Sequence, residues 1–311
     1  MFYKELEYCT TDHNQIGKSM EKVVVEKSNF HILTCIRIRP AIAEDFSHQK
    51  GRSTSFLDTD SSNNFQESSC VEVGNDGKTV KLLRDSLSLF DKPKCYLFDH
   101  VFGFKCTQIE VYRNTLRTLV ENLVDGYNGT CFVYGQTGSG KTFTMFGSEQ
   151  LFGIAHLAIN DIFEAADRRK EDNNLRTTVS VSFIQVYVEQ VYDLLVADSK
   201  RAPVSLNIQE DAKKGIRVEN LRIIPVANKE ECHGLVSHGL NNRRVRSTEY
   251  NMKSSRSHAI LQLHLDIELN SSRSNTSYRR YVLVIIIGIA FSNFNFCRKL
   301  CTTTSCKINH K

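Results

Sequence analysis

The stretch that decides the fold is GYNGTCFVYGQTGSGKTFTM, residues 126–145. Cys131-Phe132-Val133-Tyr134 is a short apolar run that reads as a strand. Gly135 to Thr142, GQTGSGKT, fits the pattern G-x-x-x-x-G-K-[ST] at each fixed position, and FTMF opens a helix behind it. A strand, a glycine-rich bend and a helix in that order make a cradle for phosphate. The glycines let backbone N–H groups turn inward, and the helix start adds the positive end of its dipole. In such a cradle Lys141 reaches the β- and γ-phosphates and the Thr142 hydroxyl ligates Mg²⁺. A mobile Gly/Ser surface loop with an exposed lysine is the plainer reading, and the flanking strand and helix argue against it.

Two further segments gain meaning from that cradle. NMKSSRSH, Asn251 to His258, sets three hydroxyls and an arginine before a strand. Alone it is a solvated polar loop or a phosphorylation target. Beside a phosphate loop it offers hydroxyls for metal and water, and a cation to link neighbouring loops. RIRP, Arg37 to Pro40, ends the first strand, where Arg37 and Pro40 can sandwich a purine by cation and ring-face contact.

Around these motifs strand and helix signals interleave. HILTCIRIRP (31–40) reads as a strand, residues 41–64 as a loop or insertion, and CVEVGNDGKTVKL (70–82) as two strands around Asn75-Asp76-Gly77. CYLFDHVF (95–102) is another strand. IEVYRNTLRTLVENLVDGYNGT (109–130) has helical apolar spacing with Gly126 as its stop. Residues 177–195 open with period-two alternation, ECHGLVSHGLNNRR suggests a helix, and HAILQLHLDIEL (258–269) alternates as a long strand. YVLVIIIGIAF (281–291) is too short for a membrane span, which needs about 20 apolar residues. Its Val and Ile content fits a strand buried on both faces of a parallel sheet. The expectation is one α/β domain.

Bulk composition narrows the classes. The 311 residues are 41% hydrophobic and 24% charged, ordinary values for a soluble domain. A formal charge of +5 suits an acidic partner but not the dense basic face of a nucleic-acid binder, so no nucleic acid and no membrane partner are expected. Ten cysteines show no CxxC pair and no zinc spacing, and the polar start MFYKELEYCTTDH is no secretion signal, so reduced thiols in the cytosol are expected.

Together these residues resemble the kinesin motor domain: RIRP at 37–40, GYNGTCFVYGQTGSGKTFTM at 126–145 and NMKSSRSH at 251–258. FDHVF (98–102), SFIQVYVEQVYDLL (182–195) and NIQEDAKKGIRVENL (207–221) are similar to family segments, and the likeness covers about residues 30–284. The resemblance implies a P-loop NTPase-like three-layer α/β/α fold with a central mixed sheet, binding ATP and Mg²⁺. It places Arg37 and Pro40 at adenine, with Phe143 stacked on the same base. Gly135, Gln136, Thr137, Gly138, Ser139, Gly140, Lys141 and Thr142 form the phosphate site. Ser254 and Ser255 close on the γ-phosphate, Thr142 and Ser255 face the metal, and Arg256 pairs with a glutamate of the family's DLAGSE loop. Met252, Lys253 and Arg246 are less typical residues for their places.

DLAGSE itself is absent. After VLV at 282–284 the chain reads IIIGIA, so Ile285 stands where the metal-linked aspartate belongs and Ala290 replaces the glutamate. Gly288 falls in the register of the γ-phosphate glycine, a match of little weight between such neighbours. The expectation is a kinesin motor fold lacking its C-terminal elements: an extension over 1–29, an incomplete motor domain over 30–290 and an unrelated tail over 291–311. A splice variant, a retained intron or a gene-model error would each produce that pattern. Missing elements would leave apolar sheet faces open, and the Ile-rich strand would cover part of them. By family the expectation is a microtubule-stimulated ATPase of the cytoplasm and cytoskeleton, with impaired hydrolysis and with tubulin contact, through Lys213, Lys214 and Arg217, reduced or lost; a solvated charged turn is the plainer reading of those three residues. The competing reading is a non-catalytic nucleotide-binding or interaction protein on the same scaffold. An unrelated phosphate-loop kinase or GTPase lacks support, since no guanine-specifying motif is present.

Overall fold

The computed structural model describes residues 32–40, 71–82, 94–170, 175–196, 204–211, 215–249, 257–269 and 277–288. The chain divides into Met1–Leu33 and Thr34–Lys311, and every element below lies in the second unit. Strand β1 (Cys35–Arg37) is shorter than the 31–40 run suggested. β2 (Val71–Val73) and β3 (Thr79–Leu82) form the expected hairpin, and β4 (Lys94–Leu97) extends it into a three-stranded sheet. In its turn the Asp76 carboxylate accepts from the Lys78 and Thr79 amides at 2.9 and 2.8 Å, with Gly77 at φ 63°. Hydrogen bonds from Thr79 and Lys78 hold the Asp76 carboxyl down to about 2. β5 (His100–Phe102) pairs in parallel with β1, so the run at 95–102 splits between two small sheets.

The 109–130 pattern is two helices rather than one. Helix α1 (Gln108–Arg113) starts at a capping box in which Thr107 and Glu110 satisfy each other's backbone N–H groups. It stops because Asn114 and Thr115 turn their side chains back, donating to the Glu110 and Val111 carbonyls at 2.8 and 2.6 Å. Helix α2 (Leu116–Val124) then resumes, burying Leu116, Val120 and Leu123.

β6 (Gly129–Val133), α3 (Lys141–Phe146) and α4 (Ile154–Lys170) follow in order. β7 (Leu175–Tyr187) and β8 (Gln190–Asp193) make a hairpin, as do β9 (Ile208–Asp211) and β10 (Gly215–Val218). β11 (Ile224–Val226) leads to α5 (Lys229–Glu249). Asn228 caps that helix by accepting from the Glu231 amide at 2.8 Å. β12 (Ser257–Leu269) and β13 (Ser277–Ile287) complete the described chain.

The central sheet runs β11-β7-β12-β13-β6, with β8 also on β7. β13 is parallel to β6 and antiparallel to β12, so the sheet is mixed and not the parallel one that the 281–291 run suggested. Burial on both faces holds for residues 282–287 of that run, and its last three residues lie outside the described ones. Leu283, Ile285 and Ile287 join the larger core, to which buried residues of all five helices belong. Val282, Val284 and Ile286 pack with Ile184, Val186, Val191 and Ile260 on the opposite face, beneath Leu206, Val218 and Leu221. No described helix contributes to that second cluster, and its residues are 0–2% exposed. An Asp266–Arg280 pair, bonded twice at 2.7 and 2.9 Å, ties β12 to β13 near the sheet's other end.

Two local features carry energetic consequences. The β7–β8 hairpin turns on Val188 (φ 47°) and Glu189 (φ 61°), left-handed backbone that a β-branched side chain resists. The second feature is a pair of histidines joining α4 to α5. His156 Nδ1 and His233 Nδ1 are 2.7 Å apart, His233 Nε2 lies 2.9 Å from Asn160 Oδ1, and Phe152 stacks on both rings. Burial, helped by His233, lowers His156 to about 4. Burial, helped by Arg280 and opposed by Asp266, lowers His264 of β12 to about 4.

Replacing Val188 with Asn, which tolerates positive φ, should raise unfolding free energy by about 1 kcal/mol in urea titration. An unchanged or lower midpoint would show that the turn carries no strain. Both histidines fold neutral with depressed pKa, so the unfolded chain takes up protons first as pH falls. Stability should be full above about pH 6.5 and drop by several kcal/mol towards pH 4. His156→Gln with His264→Gln should flatten that slope in denaturation curves measured between these two pH values.

Candidate nucleotide site at the strand ends

Topology builds the site. β6 and β13 are parallel, so the loop after Val133 and the residue after Ile287 emerge at the same end of the sheet. β12 runs the other way, so its start at Ser257 arrives there too. The meeting is tight: the Gly288 amide donates to the Val133 carbonyl at 3.4 Å, and a Cβ on Gly288 would stand 3.1 Å from the Ser257 carbonyl. Ligands of open α/β sheets bind in crevices of this kind beyond strand ends.

The bend from Gly135 to Gly140 has the conformation its glycines permit. Gly138 and Gly140 sit at φ 81° and 86°, and a Cβ on Gly135 would collide with the Ser139 side chain. The Ser139 amide closes onto the Gln136 carbonyl at 3.2 Å. Lys141 opens α3 and folds its ammonium back over the bend, donating to the Gly135 and Gln136 carbonyls at 2.7 Å each. Burial and the charge of Arg243 lower the Lys141 pKa. Thr137 and Thr142 are exposed on the open side of the bend.

Arg37 and Phe143 lie together, with the guanidinium carbon 5.4 Å from the ring centroid. The guanidinium itself is directed inward. It donates to Gln108 Oε1 at 2.8 Å, Thr144 Oγ1 at 3.1 Å and the Cys106 carbonyl at 3.3 Å, while Gln108 donates to the Phe143 carbonyl at 2.7 Å. Arg37 thereby fastens β1 to the start of α1 and to α3. Phe143 presents an exposed apolar ring beside the phosphate bend, and Pro40 is exposed at the end of the RIRP segment.

Ser254, Ser255 and Arg256 lie outside the described residues, as do Met252, Lys253, Ala290, Lys213 and Lys214, and the side chain of Arg246. Their neighbours Ser257 and His258 are described and fully buried at the strand ends. Arg243 of α5, which the sequence reading passed over, donates to the Ser257 carbonyl and hydroxyl at 3.2 and 3.4 Å. Burial lowers its pKa, and its charge in turn lowers His258 and Lys141. A polar-to-basic step in the middle of LNNRR was its only signal. Gln108 had none, since a glutamine after a capping threonine looks like ordinary helix surface.

The donor set for a divalent cation is thin. No Asp or Glu occurs between Asp125 and Glu149, between Glu249 and Asp266, or after Glu268, so the three segments that meet at the strand ends carry no carboxylate. Ile285 is fully buried in the larger core. Hydroxyl and amide oxygens and the His258 imidazole are the side-chain donors these segments offer, whereas protein-bound Mg²⁺ ordinarily takes one or two carboxylates beside the phosphates.

A mixed α/β sheet with a glycine bend and lysine at its strand ends defines a phosphate-loop nucleotide-binding domain. The family model of the kinesin motor domain matches residues 52–293, and the chain belongs to that family. Kinesin-like protein KIF15 of Rattus norvegicus is 41% identical over 191 residues, covering 58% of this chain and 14% of the relative. Kinesin-like protein 6 of Schizosaccharomyces pombe is 35% identical over 211 residues, covering 60% and 27%. The chain therefore spans well under a third of the length of these relatives. The solved structure of a fast kinesin superposes with a TM-score of 0.67 at 25% identity, covering 85% of this chain and 67% of the other. The family is one of ATPases, and membership implies ATP and Mg²⁺ use, microtubule binding and a cytoskeletal association for the family.

Since Arg37 spends its donors on the protein, Arg37→Lys should cost about 2 kcal/mol of stability without any nucleotide present. An unchanged unfolding midpoint would mean that its role is confined to ligand contact.

Proposed function

We propose that this chain binds a nucleoside triphosphate at Gly135–Thr142, with adenine against Phe143 and Pro40, as the nucleotide site of a kinesin-type motor. The observation that carries the reading is the bend itself: two left-handed glycines, a glycine with no room for a Cβ, and a lysine whose ammonium now rests on loop carbonyls. Those carbonyl bonds are what a phosphate would replace. Freed backbone amides and Lys141 would then face the anion. Ser254 and Ser255 are the proposed closing hydroxyls, and Thr142 and Ser255 the hydroxyls available to a metal.

Hydrolysis is the weak part of this function. In-line attack on the γ-phosphate needs a fixed polar group to orient water, and such groups are each worth about 10²–10³ in rate. Ile285 and Ala290 supply none, and Ile285 is locked in the core. The chain therefore holds nucleotide far better than it turns it over. Coupling to microtubules follows the family, with exposed Arg217 of the β9–β10 hairpin and the adjoining Lys213 and Lys214 suited to an acidic surface.

ATP affinity of the purified chain should fall at least about tenfold in Lys141→Ala. Turnover should stay at least about a hundredfold below motor rates, with or without microtubules in low salt. Equal affinity in the two proteins would remove the phosphate-site assignment, and rapid microtubule-stimulated turnover would remove the claim of impaired hydrolysis.

A further inference from the structure

The charge inventory at the strand ends is one-sided. Arg243 is fastened to the Ser257 carbonyl, which stands beside Gly288, and Gly288 in turn bonds to Val133 at the root of the bend that the Lys141 ammonium covers; the Arg243 charge lowers the pKa of Lys141 and of His258. Arg243 is partly buried, and the bonds it makes among the described residues go to neutral oxygens of Ser257. No carboxylate stands in any of the three segments to balance it. A partly buried guanidinium held by neutral oxygens keeps its charge available to an anion. A divalent cation brought to the same place would meet two fixed positive charges and no carboxylate, a poor site for an ion that gives up its water reluctantly.

We infer that this site binds the polyphosphate as a metal-free tetra-anion, Arg243 together with Lys141 supplying the positive charge, so that nucleotide binding here does not require Mg²⁺. The inference rests on the nucleotide-site reading above and adds to it the ionic form of the ligand and a second cationic residue. β13 is the structural reason: Ile285 and Ile287, the residues of its crevice end that face the larger core, are apolar and sealed in it, so the strand offers no carboxylate there. Arg243 reaches the site from α5, anchored on the first residue of β12, so its charge is fixed by the same strand end that closes the crevice. Free triphosphate carries more negative charge than its Mg²⁺ complex. The electrostatic term therefore favours the free form wherever cations are not offset.

The test is equilibrium binding of ATP to the full chain by calorimetry or fluorescence anisotropy, in excess EDTA and in excess Mg²⁺. The expected result is an affinity in EDTA equal to or tighter than that in Mg²⁺. Arg243→Gln should weaken the EDTA affinity by about tenfold or more, and Arg243→Lys, which keeps the charge, should retain most of it. Thermal unfolding of each variant without ligand checks that it is folded. Binding that is tenfold or more tighter in Mg²⁺ would overturn the inference while leaving the nucleotide site intact. Equal EDTA affinity in wild type and a folded Arg243→Gln would remove Arg243 from it. No binding under either condition would overturn the inference and the nucleotide-site reading together.

Discussion

The parallel pairing of β6 with β13 is the constraint on which the site depends. Hydrogen bonding from Leu283–Gly129 to Ile287–Val133 brings two strand ends to one level, and the antiparallel β12 delivers its first residue beside them. Three segments far apart in the chain thus meet within reach of one bend. Burial on both faces fixes that register, since a one-residue slip would exchange Leu283, Ile285 and Ile287 with Val282, Val284 and Ile286 between two different cores.

Two polar clamps hold the site from outside the sheet. Arg37 ties the first strand to α1 and α3 through Gln108, Thr144 and the Cys106 carbonyl, and so sets the angle at which α3 leaves the bend. Arg243 ties α5 to the start of β12. Both guanidiniums use their forked donors for architecture as well as charge, a role that lysine's single ammonium does not reproduce. Between them, the apolar β13 replaces acidic chemistry with packing. Ile285 is fully buried in the larger core and brings no charge to the crevice.

Much of the core of this arrangement was legible in residue order. The strand–bend–helix at 131–146, the β2–β3 turn at Asp76-Gly77 and the alternation of β12 all depend on contacts within a few residues, where spacing and turn chemistry speak directly. Other features were hidden because they depend on distant partners. Asn114 and Thr115 split a helix whose apolar spacing runs on across the break. Val188 is forced into left-handed backbone because the β7–β8 register leaves two residues for the turn. His156 and His233, 77 residues apart, gave no sign of forming one hydrogen-bonded pair.

By itself, the sequence determined a glycine-rich bend ending in a lysine at 135–142, set between a strand and a helix, and an uncharged isoleucine run at 285–287. Glycine freedom and side-chain charge are properties of the residues wherever they lie. Only the tertiary structure decided that β13 sits in a mixed sheet, that Arg37 faces inward, and that Arg243 shares its field with Lys141. Those outcomes follow from strand pairing and burial across 100 residues and more between Lys141 and Arg243, distances over which local pattern carries no information.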